Sequence, residues 1–304
     1  MTAARSEEQE ELARTVRALL TKRSDRAAVR AAMASDRGYD EALWRALCEQ
    51  IGVAALAVPE AYDGFGASLV ETGIVLEELG VNLAPTPLLA SAVETARLLL
   101  EGTDDERRTL LPPLAAGAVV QVDLGTVLLE PDERTPSMDP TLRLAPGSGA
   151  PLSPALTAVV AALVSALQVG GMQRALDMTV GYAGERVQFG RPIGSFQALK
   201  HRMADMLVLL ESSRSVSRAA LEEAAAHVAD PVGHAPDELL RLASVARSWC
   251  SDAFDQLASE TVQLHGGIAI TWEHDAHLVF KRAHALSHLL TASHDARAQV
   301  LALS

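Results

Sequence analysis

The sequence predicts a mainly α-helical protein: an N-terminal helical domain and a C-terminal up-and-down four-helix bundle, with a truncated β segment between them. Ala and Leu dominate the 304 residues, of which 49% are hydrophobic and only 4% aromatic, a composition typical of helical proteins. Apolar residues recur at helical spacing after capping signals. Residues 119–154 break this pattern with Pro, Gly and two short β-like runs. We therefore expect domains at 1–118, 119–154 and 155–304.

The N-terminal domain is predicted to be a series of capped helices. Ser6, Ser68 and Thr103 are each followed three residues later by Glu or Gln, the spacing of a capping box. Asp40 is expected to open another helix, which Gly52 ends. The remaining boundaries predicted here are an end at Gly80 for the helix after Ser68, and a helix from Thr86 and Pro87 to Leu100.

The last third of the chain predicts longer helices. A strongly apolar one covers 156–183, a second restarts near Ser195, a third runs from Pro236 to about Gln263, and shorter ones cover 272–290 and 295–301. The inward faces of the second and third are predicted to carry Phe196, Leu199, Met203, Met206, Leu207, Leu210, Leu239, Leu242, Ala246, Trp249, Ala253, Phe254 and Leu257.

Charge and composition exclude several classes of function. The formal net charge of −13 argues against non-specific nucleic-acid binding. Cys48 and Cys250 lie far apart, without the spacing of a disulfide framework or a zinc site. The N-terminus lacks the apolar core of a signal peptide, and the run 156–169 is too short to span a membrane. We expect a cytoplasmic protein.

Two stretches carry candidate functional residues. In the first, Arg186 precedes a turn through Gly190 and Pro192, and an arginine beside free N–H groups suits a phosphate-bearing ligand. In the second, Gln263 precedes Gly266 and Gly267, where a ligand or another chain could approach the backbone closely. Each stretch also fits an ordinary helix connection or glycine C-cap.

Five histidines in or after the second stretch invite a metal site. No Cys or paired carboxylate completes a closed set of ligands, so we expect surface or interface histidines instead of a metal centre. These residues are His265, His274, His277, His284 and His288.

Three motifs together resemble the acyl-CoA dehydrogenase family, most closely its actinobacterial branch acting on steroid side chains and other bulky acyl-CoAs. They are the loop from Val58 to Gly66, the segment from Gly170 through Arg186 to Gln197, and the run from Gln263 to Gly267. The resemblance covers both helical domains. It implies an FAD-dependent enzyme that oxidises the Cα–Cβ bond of an acyl-CoA thioester, with FAD at subunit interfaces.

The same resemblance implies cofactor-binding roles for seven residues. Arg186 would neutralise the FAD diphosphate, Gln188 and Phe189 would touch the cofactor, and Gln197 would line its path. Gln263, Gly266 and Gly267 would meet the adenosine diphosphate part of an FAD held mainly by a neighbouring subunit.

The sequence departs from the family in two places. The middle β-domain, which covers the flavin ring in the family, is reduced to 119–154, of which Pro136 to Leu144 resembles its late part. The catalytic glutamate is also missing: Thr291 occupies its usual place, and Val160 occupies the alternative place on the first long bundle helix. Neither side chain can abstract a proton at neutral pH.

The resulting hypothesis is one subunit of a heteromeric, α2β2 acyl-CoA dehydrogenase. A homologous partner would carry the glutamate, most of the FAD site and the acyl-CoA pocket. Alternatives remain open: an active homo-oligomer that uses Asp295, His288 or Glu273 as the base, a non-catalytic helical protein, or a non-redox enzyme such as a hydratase or cyclase on the same scaffold.

Overall fold

Eleven helices and five short strands make up the described parts of the chain, residues 5–131 and 137–303 of a computed structural model. The N-terminal helices are α1 (Glu7–Arg23), α2 (Arg26–Ala34), α3 (Glu41–Ala46), α4 (Leu69–Asn82), α5 (Leu88–Glu101) and α6 (Asp104–Ala115). The strands β1 (Val122–Asp123), β2 (Val127–Leu129) and β3 (Leu144–Pro146) follow. The remainder is α7 (Pro154–Glu185), β4 (Val187–Gln188), β5 (Arg191–Pro192), α8 (Gln197–Ala229), α9 (Pro236–His265), α10 (Ala276–Ser287) and α11 (Ser293–Ala302).

The predicted helix starts are confirmed where a capping box marks them. Ser6, Ser68 and Thr103 cap α1, α4 and α6 with reciprocal side-chain and backbone bonds. Some boundaries differ from the prediction. The α4 helix continues two residues past Gly80, and Pro87, not Thr86, occupies the cap position of α5 without a side-chain bond. The α2 helix was not predicted.

The helix opened by Asp40 ends as expected at Gly52, which has a φ of 77°. Before that, the chain widens into a π-helical turn from Leu47 to Ile51. Such turns are rare, and the apolar spacing does not signal one.

The middle segment forms a small antiparallel sheet in the order β1-β2-β3. The β1–β2 hairpin agrees with the two predicted runs, and β3 is an addition, pairing Leu129 with Leu144. A fully buried ion pair between Asp139 and Arg282 fastens this segment to α10, and Thr141 also accepts from the same guanidinium. Of the expected late-domain remnant, Pro136 lies outside the described residues.

The long helix α7 is the centre of the molecule and packs against α4, α5, α8, α9 and α10. By length and composition alone it could cross a bilayer, contrary to the expectation from 156–169. Within the fold, however, 89% of its most apolar window is buried, as in the core helix of a globular protein. One continuous hydrophobic cluster joins residues from Val16 in α1 to Leu289 after α10.

Two residues predicted to face inward do not. Leu207 on α8 and Trp249 on α9 are 47% and 44% exposed. The Trp249 indole nitrogen donates to the Ser212 hydroxyl, 3.1 Å away on α8. The apolar faces of α8 and α9 therefore extend beyond the area that the rest of this chain buries.

Candidate functional site

The two candidate stretches meet at one end of the bundle. Thr179 on α7 and Thr261 on α9 have their hydroxyl oxygens 3.2 Å apart, and the rings of Tyr182 and His265 stack with centroids separated by 4.5 Å. The up-and-down order thus places the carboxyl ends of α7 and α9 beside the start of α8. We call this surface, formed by residues 186–197 and 263–267, the rim.

A two-residue hairpin shapes the first half of the rim. Phe189 and Gly190, between β4 and β5, both have positive φ, 52° and 75°, as the tight turns of two-residue hairpins require. The Phe189 ring is 91% exposed and meets Phe196 edge to face at 6.1 Å. The guanidinium of Arg191 lies 4.0 Å from the centre of the Phe196 ring. The hairpin tip is therefore held in shape while its aromatic ring faces outward.

Arg186 lies at the junction of α7 and this hairpin. Its N–H donates to the Tyr182 carbonyl at 2.9 Å, and its own carbonyl accepts from Ile193 at 2.8 Å. Across the described residues, its exposed guanidinium has no hydrogen bond or ion pair. The backbone is thus fixed, while the charged group is available to an anionic ligand.

The two predicted glutamines of this half are also exposed. The Gln188 amide donates to the Val187 carbonyl at 2.8 Å, and the Gln197 amide nitrogen lies 2.8 Å from His201 Nε2. Both bonds are local and solvent-exposed, so either side chain can exchange its partner for a ligand at little cost.

The second half of the rim is open backbone. Gly266 adopts φ 65° and ψ −146°, a conformation reached almost only by glycine. A Cβ atom placed on Gly266 or Gly267 would meet no atom within 4 Å. Gln263 is exposed one turn earlier on α9. The glycines therefore leave room above the backbone for another molecule.

A ring cluster lies beneath this half of the rim. His265 is only 3% exposed, so the prediction of a surface histidine was wrong there. Its Nδ1 lies 2.7 Å from the Thr261 carbonyl oxygen, and its ring is 4.5 Å from that of His274. Burial lowers the pKa of both imidazoles, and for His274 the neighbouring His265 lowers it further. The neutral rings thus pack against one another beneath the rim. Within residues 5–131 and 137–303, no three metal-binding side chains converge.

The segment expected to hold a catalytic base is fixed by Arg247. This arginine is 2% exposed and donates to the carbonyls of Leu286, Ser287 and Thr291 at 3.0, 2.7 and 2.9 Å. Burial lowers its pKa to about 10. The structure therefore holds this segment in place, and the exposed Thr291 within it carries a hydroxyl, which cannot abstract a proton at neutral pH. Sequence reasoning missed Arg247, because nothing in its spacing distinguishes a buried arginine from a solvated one.

The other positions considered for a base are either fully buried or exposed in this chain. Val160 on α7 is fully buried in the hydrophobic core. Asp295 is exposed and lies 3.3 Å from His294, and His288 is exposed with its Nδ1 2.8 Å from the His284 carbonyl. Glu273 is exposed as well. In the single chain, these three groups lack the dry surroundings that proton abstraction next to a thioester requires.

Comparisons with known proteins agree on one family. The family model of the acyl-CoA dehydrogenase N-terminal domain matches residues 6–118, and that of the C-terminal domain matches residues 148–289. The acyl-CoA dehydrogenase IpdE2 of Mycobacterium tuberculosis is 44% identical, over 93% of each chain.

Two solved structures have the same fold. One is a steroid ACAD, Tcur3481-Tcur3483, with a TM-score of 0.81 and 26% identity over 98% of this chain and 97% of that chain. The other is the ChsE4-ChsE5 complex from Mycobacterium tuberculosis, with a TM-score of 0.76 over 98% and 97% of the two chains. At 21% identity, the second comparison shows the fold alone.

Proposed function

Because this chain belongs to the acyl-CoA dehydrogenase family, we propose that it is one subunit of a heteromeric FAD-dependent acyl-CoA dehydrogenase. A homologous partner supplies the catalytic glutamate, most of the FAD site and the acyl-CoA pocket. This chain contributes the rim, which completes the nucleotide end of the cofactor site. When bound, FAD supplies the electron acceptor for oxidation of the Cα–Cβ bond.

One observation carries the proposal: an open, cationic rim without a base. Arg186 has an unpaired guanidinium among the described residues, and Gly266 and Gly267 leave space above the backbone. The two family positions for the base hold Thr291 and Val160, and Val160 is completely buried. An isolated subunit with this arrangement can bind part of a dinucleotide but cannot remove an α-proton.

The described residues fit the diphosphate part of FAD better than the flavin ring. A planar guanidinium can bind a diphosphate with paired hydrogen bonds, and glycine backbone can approach it closely. For the flavin ring, the β segment offers only strands of two or three residues, with its third strand ending at an exposed Pro146. We infer that Arg186, Gln188, Phe189, Gln197, Gln263, Gly266 and Gly267 contact the nucleotide side, while the partner encloses the ring.

The comparisons support an assembly of this kind and a bulky substrate. The steroid ACAD that is 26% identical to this chain pairs two proteins, Tcur3481 and Tcur3483, and the ChsE4-ChsE5 complex has the same fold. The surplus apolar surface at Leu207 and Trp249 offers area that a second subunit could cover. We propose an α2β2 assembly acting on a bulky or steroid-derived acyl-CoA.

Flavin content of the purified protein tests this function. The chain alone should be colourless and inactive, whereas co-expression with a longer homologous subunit should give flavin absorbance and dye reduction with acyl-CoA. In the complex, Arg186→Gln should weaken FAD binding about tenfold, because a charge-assisted bond to the diphosphate is lost. Arg108→Gln, at an exposed ion pair on α6, is the matched control and should leave binding unchanged.

The alternatives give different results. A yellow, active homo-oligomer would contradict the proposal and direct attention to Asp295, His288 or Glu273. Absence of flavin from the stable co-purified complex would favour a non-catalytic or non-redox role. Equal flavin content in the Arg186→Gln and Arg108→Gln complexes would remove the rim from the cofactor site.

A further inference from the structure

A separate polar pocket lies along α7, away from the arginine half of the rim. It has a volume of about 190 Å³ and is enclosed by the start of α2, the end of α4, the middle of α7 and the start of α10. Arg174, which lines it, precedes Arg186 by twelve residues, or about 18 Å along the helix. The pocket is therefore distinct from the arginine half of the rim. It adjoins the other half through His274, whose carbonyl accepts from Arg30 and whose ring lies 4.5 Å from that of His265.

Three arginines converge on a single carboxylate in this pocket. Arg30 and Arg174 donate to opposite oxygens of Asp275 at 2.7 and 3.0 Å, and Arg26 Nε lies 3.1 Å from one of them. The Asp275 side chain is only 9% exposed. The other acid lining the pocket, Asp25, accepts from Ala28 as the cap of α2. Three guanidiniums against two carboxylates leave an excess positive charge, in a chain whose net charge is −13.

Some of the donors in this pocket are unused. Arg30 also donates to the carbonyls of Trp272 and His274, at 2.9 and 3.3 Å. Arg174 differs, because its Nε is buried and has no hydrogen-bond partner. In the parts of the chain that the structure describes, the only ion-pair partner of Arg26 is Asp275. The Arg174 Nε is closed to an outside molecule, but this side chain is 38% exposed and only its Nη2 donates within the described residues. Its Nη1 therefore remains available to an acceptor from outside the chain.

Two imidazoles lie nearby, those of His274 and His277, and the pKa of each is lowered, mainly by burial. At His274 the neighbouring His265 lowers the pKa further, Asp275 raises it, and Arg26 and Arg174 lower it. At His277 Lys281 and Arg30 lower the pKa, Asp275 raises it, and Arg26 lowers it. Both imidazoles are thus neutral near pH 7 and add no charge of their own. The excess positive charge of the three arginines therefore favours an anion over a cation in this pocket.

We propose that this pocket binds a phosphoryl anion, held between the free donors of Arg26 and the Nη1 of Arg174, with Asp275 keeping the guanidiniums in place. Arginine suits this ligand because its planar fork matches the spacing of phosphate oxygens. Sulfate shares that geometry, whereas chloride does not. The phosphoryl group can come from free phosphate or from the phosphomonoester of a nucleotide, and the test separates these sources.

Calorimetric titration of the full chain with inorganic phosphate, at constant ionic strength set with chloride, tests the site. We expect saturable binding that weakens about tenfold in Arg26→Gln, since one charge-assisted contact is lost. Arg174→Lys keeps the charge but removes the planar fork of donors and should also weaken binding. Arg26 is 45% exposed, so its replacement should leave the fold intact, and Arg108→Gln is the matched control.

Two results would overturn the proposal: no saturable binding by the wild-type chain, or equal binding by the Arg26→Gln and Arg108→Gln proteins. A parallel titration with AMP identifies the source. Tighter binding of AMP than of phosphate, with the same dependence on Arg26, assigns the pocket to a nucleotide phosphomonoester. Binding of AMP that is equal or weaker assigns it to free phosphate.

Discussion

One buried carboxylate of the β segment, Glu130, gives the protein a pH-dependent stability. Glu130 is 9% exposed and lies 3.4 Å from Arg143, yet burial raises its pKa to about 7. The folded state therefore binds this proton more tightly than the unfolded state, and the unfolding free energy should fall as pH rises from about 4.5 to 7. Glu130→Gln should thus stabilise the protein by about 1–3 kcal/mol at pH 8 and hardly at all at pH 4.5. Urea denaturation at both pH values measures this, and an equal effect at the two would contradict it.

At the scale of elements, the crossing of α4 and α7 depends on glycine. A Cβ on Gly170 would lie 2.0 Å from the Glu77 carbonyl oxygen, and one on Gly80 would lie 2.6 Å from that of Leu167. Gly170→Ala should therefore destabilise the protein by about 1–3 kcal/mol, although alanine is the better helix former. Gly181→Ala, in the same helix with no atom within 4 Å, should instead stabilise it by about 0.5–1 kcal/mol. Thermal unfolding of both variants checks this opposition, and effects of the same sign would argue against close packing.

At the scale of the whole molecule, the shared core predicts a single cooperative unfolding transition. The hydrophobic cluster is continuous from α1 to the residues after α10. Trp44, buried near Gly117, and Trp249, on α9, report on opposite ends of the sequence. In each of two variants that retain one of these tryptophans, with the other two replaced by Phe, tryptophan fluorescence and far-UV circular dichroism should therefore give the same denaturant midpoint. Separate midpoints for the two probes within one variant would show that the two helical regions fold independently.

Sequence predicted most of the fold because its signals were local. Capping boxes at Ser6, Ser68 and Thr103 depend on residues three apart, and the apolar run of α7 is long enough to define a core helix. Periodicity cannot say how far a partner helix extends, however. Leu207 and Trp249 share the spacing of buried neighbours but lie beyond the surface that this chain covers.

The individual residues of the candidate site could be predicted from the sequence, but their arrangement in space could not. The glycines and Arg186 can be found from residue type, because each has a distinct backbone or charge property. The contact of Tyr182 with His265, and the convergence of Arg26 and Arg30 on Asp275, join positions far apart in the sequence. No local pattern encodes such contacts; they follow only from the packing of α2, α7 and α10.

The parallel course of α7 and α9 has an electrostatic consequence for the rim. The macrodipole of a helix places about half a negative elementary charge at its carboxyl end, and two such ends lie together there. The amino end of α8 offsets about one of them. A diphosphate approaching this surface would therefore be repelled by backbone carbonyls and attracted chiefly by the guanidiniums of Arg186 and Arg191. On the proposed function, such a surface alone would bind a dinucleotide weakly, and firm retention would depend on the partner subunit.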